Sequence, residues 1–289
     1  MTMLVTGATG QFGGLVVADL IKRGLAGRLA VSVRQTERAA GLKAQGVDVR
    51  QGDFDDPASL ARAFAGVERL LLVSTTNDNE TRIRQHKTAV RAAQEAGVKF
   101  IVYTSIAHAD HNPLGLAEVH RATEAAIRAS GIPYAFLRNN WYLENEAGFV
   151  QAALVGAPIR TSAGQGKVGW ALRSDYALAA AAVLATDGHE NKIYELSGKP
   201  AGYDEFGAAL GQVLGHPVTV EHVSDAVYGE SLSGSGLPAF LVPLFVDMAA
   251  KIREGALAVE GNDFQKLIGR PAIPLREAVA QLVAQVQKR

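Results

Sequence analysis

The chain has 289 residues, 29 of them basic and 29 acidic, and no cysteine. That neutral balance leaves no electrostatic footprint for nucleic acid or an anionic membrane surface, and the missing thiols exclude disulfides, thiolate nucleophiles and Cys-ligated metals. The composition, 48% hydrophobic and 20% charged, is that of an ordinary globular protein, and with no secretory signal pattern and no apolar run near the ~20 residues of a membrane span, a cytoplasmic protein is expected.

Short apolar runs alternate with helical patterns through the first half. Strands are predicted at residues 3–6, 29–33, 47–50, 70–73, 100–103 and 134–137, with helices at about 11–23, 36–44, 58–64, 80–96 and 117–130 between them. Strands this apolar, separated by helices, imply a parallel sheet covered on both faces. Right-handed crossovers then give an α/β fold with a Rossmann-type doubly wound parallel sheet over residues 1–145. Beyond 145 the rhythm loosens. Ser174-Asp175 offers an N-cap for a helix through Leu184, 192–196 reads as a strand, and 203–214 and 274–286 are amphipathic helices. The Gly-, Ser- and Pro-rich stretch 229–243 suggests a mobile flap. Residues 146–289 are therefore expected to form a smaller C-terminal α/β substrate lobe, with segments returning to the core.

Between the first strand and its helix stands Gly7-Ala8-Thr9-Gly10-Gln11-Phe12-Gly13. Small residues at that junction let the backbone turn tightly and approach a pyrophosphate, while the helix N-terminus offers free N–H groups and a positive dipole end. The second strand ends Val33-Arg34 with no acid at its tip. An acid there takes a ribose 2′-hydroxyl, whereas an arginine accommodates a 2′-phosphate through its planar fork of donors. NADPH rather than NADH is the expected cofactor. After the third strand, Asp53 either accepts from the adenine amino group with Phe54 on the ring, or opens a turn and the next helix. Ser74, Thr75 and Thr76 close the fourth strand at the edge where such sheets hold ligands, with helix capping as the competing role.

The chain resembles an atypical short-chain dehydrogenase/reductase of the NmrA-like group. The resemblance rests on Val5-Thr6-Gly7-Ala8-Thr9-Gly10-Gln11, on Tyr103-Thr104-Ser105 with His108-Ala109-Asp110, and on Pro113-Leu114-Gly115-Leu116-Ala117. Leu137-Arg138-Asn139-Asn140-Trp141-Tyr142 with Glu144-Asn145, and Leu267-Ile268-Gly269-Arg270-Pro271, complete it. It implies NADPH-dependent reduction of quinones and similar planar acceptors, such as dyes, without flavin. It also implies a cofactor held by Gly7 to Phe12, by Arg34, by Ser74 to Thr76, and by Asn139, Asn140, Trp141, Tyr142, Leu143 and Glu144. NADP(H)-binding regulators without turnover share the fold and are the alternative reading; a homodimer is left open.

Ordinary members of the wider superfamily protonate an alkoxide with Tyr-x-x-x-Lys and a serine. Here Ser105 stands where the serine would be, Leu116 takes the tyrosine position and His120 the lysine position. Quinone reduction tolerates the loss, because the reduced ring delocalises its charge and needs little general acid. The protein then supplies mainly proximity to the nicotinamide. Tyr142 and Asn139 are the candidates for positioning the ring and polarising its oxygen, although Tyr142 reads equally as a partly buried aromatic with a satisfied hydroxyl. His120 either bonds the nicotinamide ribose, donates a proton near neutral pH, or is simply a helix histidine bonded to Glu124. Trp141, Phe149 and the 229–243 stretch are expected to line an apolar slot, and no metal is expected.

Overall fold

The computed structural model describes residues 1–288. In chain order it runs β1 (Met3–Thr6), α1 (Gln11–Lys22), β2 (Leu29–Val33), α2 (Ala40–Lys43), β3 (Asp48–Gln51), α3 (Pro57–Phe64), β4 (Arg69–Leu72), α4 (Asn79–Glu95), β5 (Phe100–Ile106), α5 (Ala117–Ser130) and β6 (Tyr134–Asn139). There follow α6 (Ala147–Leu154), β7 (Ile159–Thr161), α7 (Arg173–Ala185), β8 (Lys192–Leu196), α8 (Tyr203–Leu214), β9 (Val220–His222), α9 (Asp225–Gly234), α10 (Val242–Arg253), α11 (Asp263–Ile268) and α12 (Leu275–Val286). A seven-stranded sheet has the order β3-β2-β1-β4-β5-β6-β8, and every pairing in it is parallel. β7 and β9 form a second, two-stranded parallel sheet.

The two-residue period of the strands divides the core. Met3, Val5, Leu71, Val102 and Leu137 face α1 and α7, while Leu4, Leu70, Leu72, Ile101 and Phe136 face α3, α4 and α5. The alanines of α7 at 177 and 179–181 are buried against α1 and the sheet, where their small side chains allow close approach. Side-chain caps fix the helix starts: Asp56 accepts the N–H groups of Ala58 and Ser59 below α3, and Asp78 accepts that of Thr81 below α4. Ile159, Trp170, Leu172, Phe206, Ile252, Leu257 and Leu282 build a separate core around the second sheet. β8 meanwhile returns to the edge of the main sheet beside β6. Among the described residues no helix is long and apolar enough to cross a membrane.

Three expectations are corrected. Residues 36–44 form a 3-10 turn over Thr36–Ala39 and only then the single turn of α2, because Gly41 and the left-handed Gly46 (φ +84°) leave no room for a stable helix. Ser174 and Asp175 do not cap α7 but lie within its first turn. The buried Asp175 instead accepts from Arg270 Nη2 (2.6 Å) and the Ile273 N–H (2.9 Å), tying down the chain after α11. The stretch 229–243 is largely helical and stands away from the cleft: it comprises the end of α9, a 3-10 turn over Ala239–Leu241 and the start of α10. Its proline at 243 occupies the first turn of α10, where a missing N–H costs nothing.

Glu146 sits in the second core. Its Oε1 accepts from Trp170 Nε1 (2.9 Å), and burial pushes its carboxyl up to about 7. A folded-state value above the unfolded one makes its stabilising effect complete below about 4.5 and lost as pH rises through about 7, at roughly 1.4 kcal/mol per pH unit. Glu146→Gln keeps the acceptor and removes the ionisation. The variant is expected to melt above the parent at pH ~8 and to show a weaker fall in Tm between pH ~5 and ~8; the same fall in both proteins would contradict this assignment.

Candidate active site

In the main sheet the direction of growth reverses between β1 and β4, and such a reversal leaves a crevice at the carboxyl ends of the strands. Here a cleft of about 790 Å³ opens there, walled by residues that follow β1 to β6. At its floor Gly7 adopts φ +63°, a left-handed turn that a side chain would strain. Gly10 is the N-cap of α1 without a side-chain cap, and no acidic residue stands in the first turn. The helix thus presents bare N–H groups and a positive dipole end along a wall formed by Gly10, Gln11, Phe12 and Gly13. A Cβ at Gly13 would collide with the Gly7 carbonyl, so the third glycine serves the packing of loop on helix. Thr9 also lines the cleft, whereas Ala8 is buried behind the loop and does not.

Arg34, exposed at the tip of β2, is joined on the same wall by Arg38 from the 3-10 turn that follows. Arg38 was missed in the sequence; a basic residue four positions after Arg34 was its only signal. Gly52, Asp53 and Phe54 complete this end. Asp53 Oδ1 accepts the Asp55 N–H (3.0 Å), so the carboxylate does form the turn while also facing the cleft. Arg82 of α4 and Arg173 of α7 add two further guanidinium groups that the sequence reading did not reach. Four arginines against one acid make this cleft electropositive in a chain of zero net charge. A ligand with several phosphates fits it.

Ser74, Thr75 and Thr76 line the middle of the cleft. Ser74 Oγ accepts from Arg82 Nη2 (2.9 Å), and the Thr75 N–H donates to His86 Nε2 (3.0 Å). His86 is buried, and desolvation followed by the Arg82 charge holds it down at about 3, so it is a neutral structural acceptor.

At the far end stand Ser105, Leu116, His120, Asn139, Asn140, Trp141 and Tyr142. Ser105 Oγ donates to Glu124 Oε1 (2.7 Å), and Glu124 is gripped by Arg138 through Nε–Oε1 (3.0 Å) and Nη2–Oε2 (2.8 Å). Arg138 reaches on to Glu195 of β8 (3.2 Å) and to Asp110 (2.8 Å). The serine that would polarise a carbonyl is thus built into a buried ion cluster. His120 is not bonded to Glu124 either: its Nδ1 lies 2.9 Å from the Tyr103 hydroxyl. Burial, and then the Arg82 charge, hold it well below the usual histidine range, which argues against the proton-donor alternative near neutral pH.

The Tyr142 ring stacks on Phe12 (centroids 6.1 Å apart), meets Tyr176 edge-on (5.1 Å) and lies under Arg173 (5.0 Å). Its hydroxyl oxygen accepts from Asn139 Nδ2 (3.1 Å), leaving its hydrogen to donate. Burial pushes the phenol up to about 12, so that hydrogen stays in place. Asn139 Oδ1 is buried without a partner, an acceptor of the kind that an amide N–H satisfies. Leu143 and Glu144 do not reach the cleft. Leu143 is fully buried in the second core, and both Glu144 carboxylate oxygens take the Arg173 N–H at the start of α7. Phe149 packs edge-on against Tyr203, and neither it nor residues 229–243 line the cleft; Trp141 does.

Known proteins match this arrangement closely. The chain is 42% identical to quinone oxidoreductase 2 of Escherichia coli K12 over 279 residues, 96% of this chain and 97% of that protein. The solved NADPH-dependent quinone oxidoreductase of E. coli, complexed with NADPH, superposes with a TM-score of 0.93 at 41% identity, covering 97% of this chain and 99% of that one. Triphenylmethane reductase of Citrobacter sp., complexed with NADP(H), superposes equally well, with a TM-score of 0.93 and 41% identity over 98% of this chain and 100% of that one. The NmrA-like family model matches residues 1–253, and the chain belongs to the NmrA-like family.

Proposed function

We propose that the chain is an NADPH-dependent oxidoreductase that passes hydride to quinones and similar planar acceptors, dyes among them, without flavin. The observation that carries this reading is the single cleft in which a bare helix N-terminus and paired arginines at one end face neutral hydrogen-bond donors at the other. The NADPH-dependent quinone reductase and the dye reductase, similar over nearly their whole length, support it.

In this reading the N–H groups of α1 and the Gly7 turn hold the pyrophosphate, and Arg34 and Arg38 clamp the 2′-phosphate. Asp53 and Phe54 flank the adenine. Asn139 and Tyr142 position the nicotinamide end, Tyr142 kept rigid by Phe12, Tyr176 and Arg173. NADPH supplies a hydride, that is, two electrons with one proton. Leu116 and Trp141 give the acceptor end apolar walls, and both rest on the second core, so residues 146–289 act as its support. No residue here is a general acid of ordinary strength, which selects acceptors whose reduced form carries its own charge.

Three measurements test the reading. Following NADPH oxidation at 340 nm across quinones, dyes and aldehydes should show turnover with the first two classes; consumption by none of them would leave only the sensor. Arg34→Asp should weaken NADPH by roughly 10- to 100-fold, the loss of a charged hydrogen-bonding partner, while NADH changes little; equal losses for both nucleotides would remove the 2′-phosphate assignment. Ser105→Ala should leave kcat for quinones within a few-fold but lower Tm, because its hydroxyl serves Glu124 and not the acceptor. A collapse of kcat at unchanged Tm would restore the serine to catalysis.

A further inference from the structure

Behind the acceptor end of the cleft lies a polar chain that the hydride-transfer reading does not use. It begins at Arg82, whose Nη2 donates to Ser74 Oγ (2.9 Å). An arginine is a donor only, so Ser74 is an acceptor there and its own hydrogen is free to point onward. Within reach of that hydroxyl is the fully buried Tyr103 on β5, whose oxygen lies 2.9 Å from His120 Nδ1. Nδ1 and Oη share one hydrogen. Oη accepts the Ser74 hydrogen, so the arrangement that also satisfies its own O–H has that group donating to a bare Nδ1. The neutral imidazole then carries its hydrogen on Nε2, an atom with no protein partner among the described residues, on a side chain that forms part of the cleft wall with Leu116. His86, the other buried histidine of the cluster, is fixed in the opposite sense. Thr75 N–H must donate to its Nε2, so Nδ1–H donates to Thr123 Oγ1 (2.8 Å), whose hydrogen goes to the Val119 carbonyl (2.7 Å).

We infer, resting on the hydride-transfer reading above, that Tyr103 fixes the tautomer of His120 so that a neutral Nε2–H donates a hydrogen bond to the acceptor oxygen on which negative charge develops. In the reaction the nicotinamide C–H bond breaks and its hydride adds to the quinone, which becomes the hydroquinone monoanion as the nucleotide is oxidised. Solvent supplies the second proton, and His120 gives up none. Protonation of His120 would oppose the arrangement, and its surroundings disfavour it: it is buried, Arg82 and His86 face it from α4 and Tyr103 from β5, while Glu124 of its own helix is held by Arg138. A donor that cannot ionise in either direction works unchanged across the physiological range. Tyr103 acts through His120 and is a positioning residue; His120 touches the acceptor and is the catalytic one.

The test combines a spectroscopic readout with kinetics. In 15N-histidine-labelled wild-type protein with NADP+ bound, long-range 1H–15N spectra should show His120 protonated at Nε2 and bare at Nδ1, with no titration between pH ~5.5 and ~8.5. A bare Nε2, or a titration in that range, overturns the inference without the need for any variant. Tyr103→Phe should mix the tautomers. His120→Leu should lower kcat for quinones by about 10-fold at unchanged KM for NADPH, less than a localised oxyanion loses with one donor because the charge spreads over a ring. His120→Gln, whose amide N–H can stand near Nε2, should recover most of that loss. A Leu variant with wild-type kcat, or one whose whole defect lies in KM for NADPH, shows contact with the nucleotide instead and overturns the inference. Wild-type protein that fails to oxidise NADPH with any quinone tested overturns the hydride-transfer reading itself, whichever tautomer is found.

Discussion

A parallel sheet that grows outward in both directions from one strand cannot cover both sides of that strand's carboxyl end. The connection to β2 leaves through α1 on one face and the connection from β4 leaves through α4 on the other, so a crevice remains above the loop after β1. The rest of the molecule follows from that vacancy in the topology. The loop must turn sharply to start α1 on one face of the sheet, which demands a left-handed residue at Gly7 and no side chain at Gly13. The same turn aims the unsatisfied N–H groups of α1 into the crevice. An anion is the ligand that such an end stabilises, and the arginines after β2 and on α4 and α7 extend its reach.

The opposite end of the crevice is organised by a buried charge. Arg138 and Glu124 are both nearly inaccessible and pair through two short contacts, with Glu195 and Asp110 completing the cluster. Removing either partner would leave a buried ion unpaired, at a cost of about 3–5 kcal/mol. The cluster joins β5, α5, β6 and β8, so the strand that returns from the second lobe is locked to the strand that carries Asn139. Ser105 is drawn into it, and with that the hydroxyl that would have faced an alcohol's oxygen becomes a scaffold atom.

Much of this was legible from the residues. The strand runs were apolar enough to be read as buried on both faces, and their order with the intervening helices left little topological choice. The glycine spacing and Arg34 pointed to one end of the cleft because backbone conformation and charge at a strand tip are local properties. What escaped depends on side chains that meet across the fold. Arg82 and Arg173 lie on different helices and become neighbours of the cleft only when the sheet is assembled. The glycines and proline of 229–243 mark helix ends as readily as loops, and composition alone does not decide between them. Leu143 and Glu144 follow Tyr142 directly in sequence, yet the chain turns into a 3-10 helix at Leu143 and points one inward and the other at α7. A motif read as a continuous string does not foresee that change of direction.

The loss of a tyrosine acid is usually a loss of function, and here the surroundings explain why it need not be. Leu116 in that position, Ser105 tied to Glu124 and a histidine kept neutral remove the Tyr-x-x-x-Lys and serine arrangement that serves a localised alkoxide. The same burial that silences them keeps Tyr142 protonated, so that its remaining hydrogen is available as a donor. Fixed neutral donors stabilise charge that is spread over a ring, because many weak displacements of electron density each need only a hydrogen bond. They serve poorly where one oxygen must take a full proton. In the proposed reading, a cleft with weak acid chemistry would sort substrates by electronic structure: the acceptor would need to be flat enough for walls that include Leu116 and Trp141, and electron-poor enough to hold the hydride's charge until solvent protonates it.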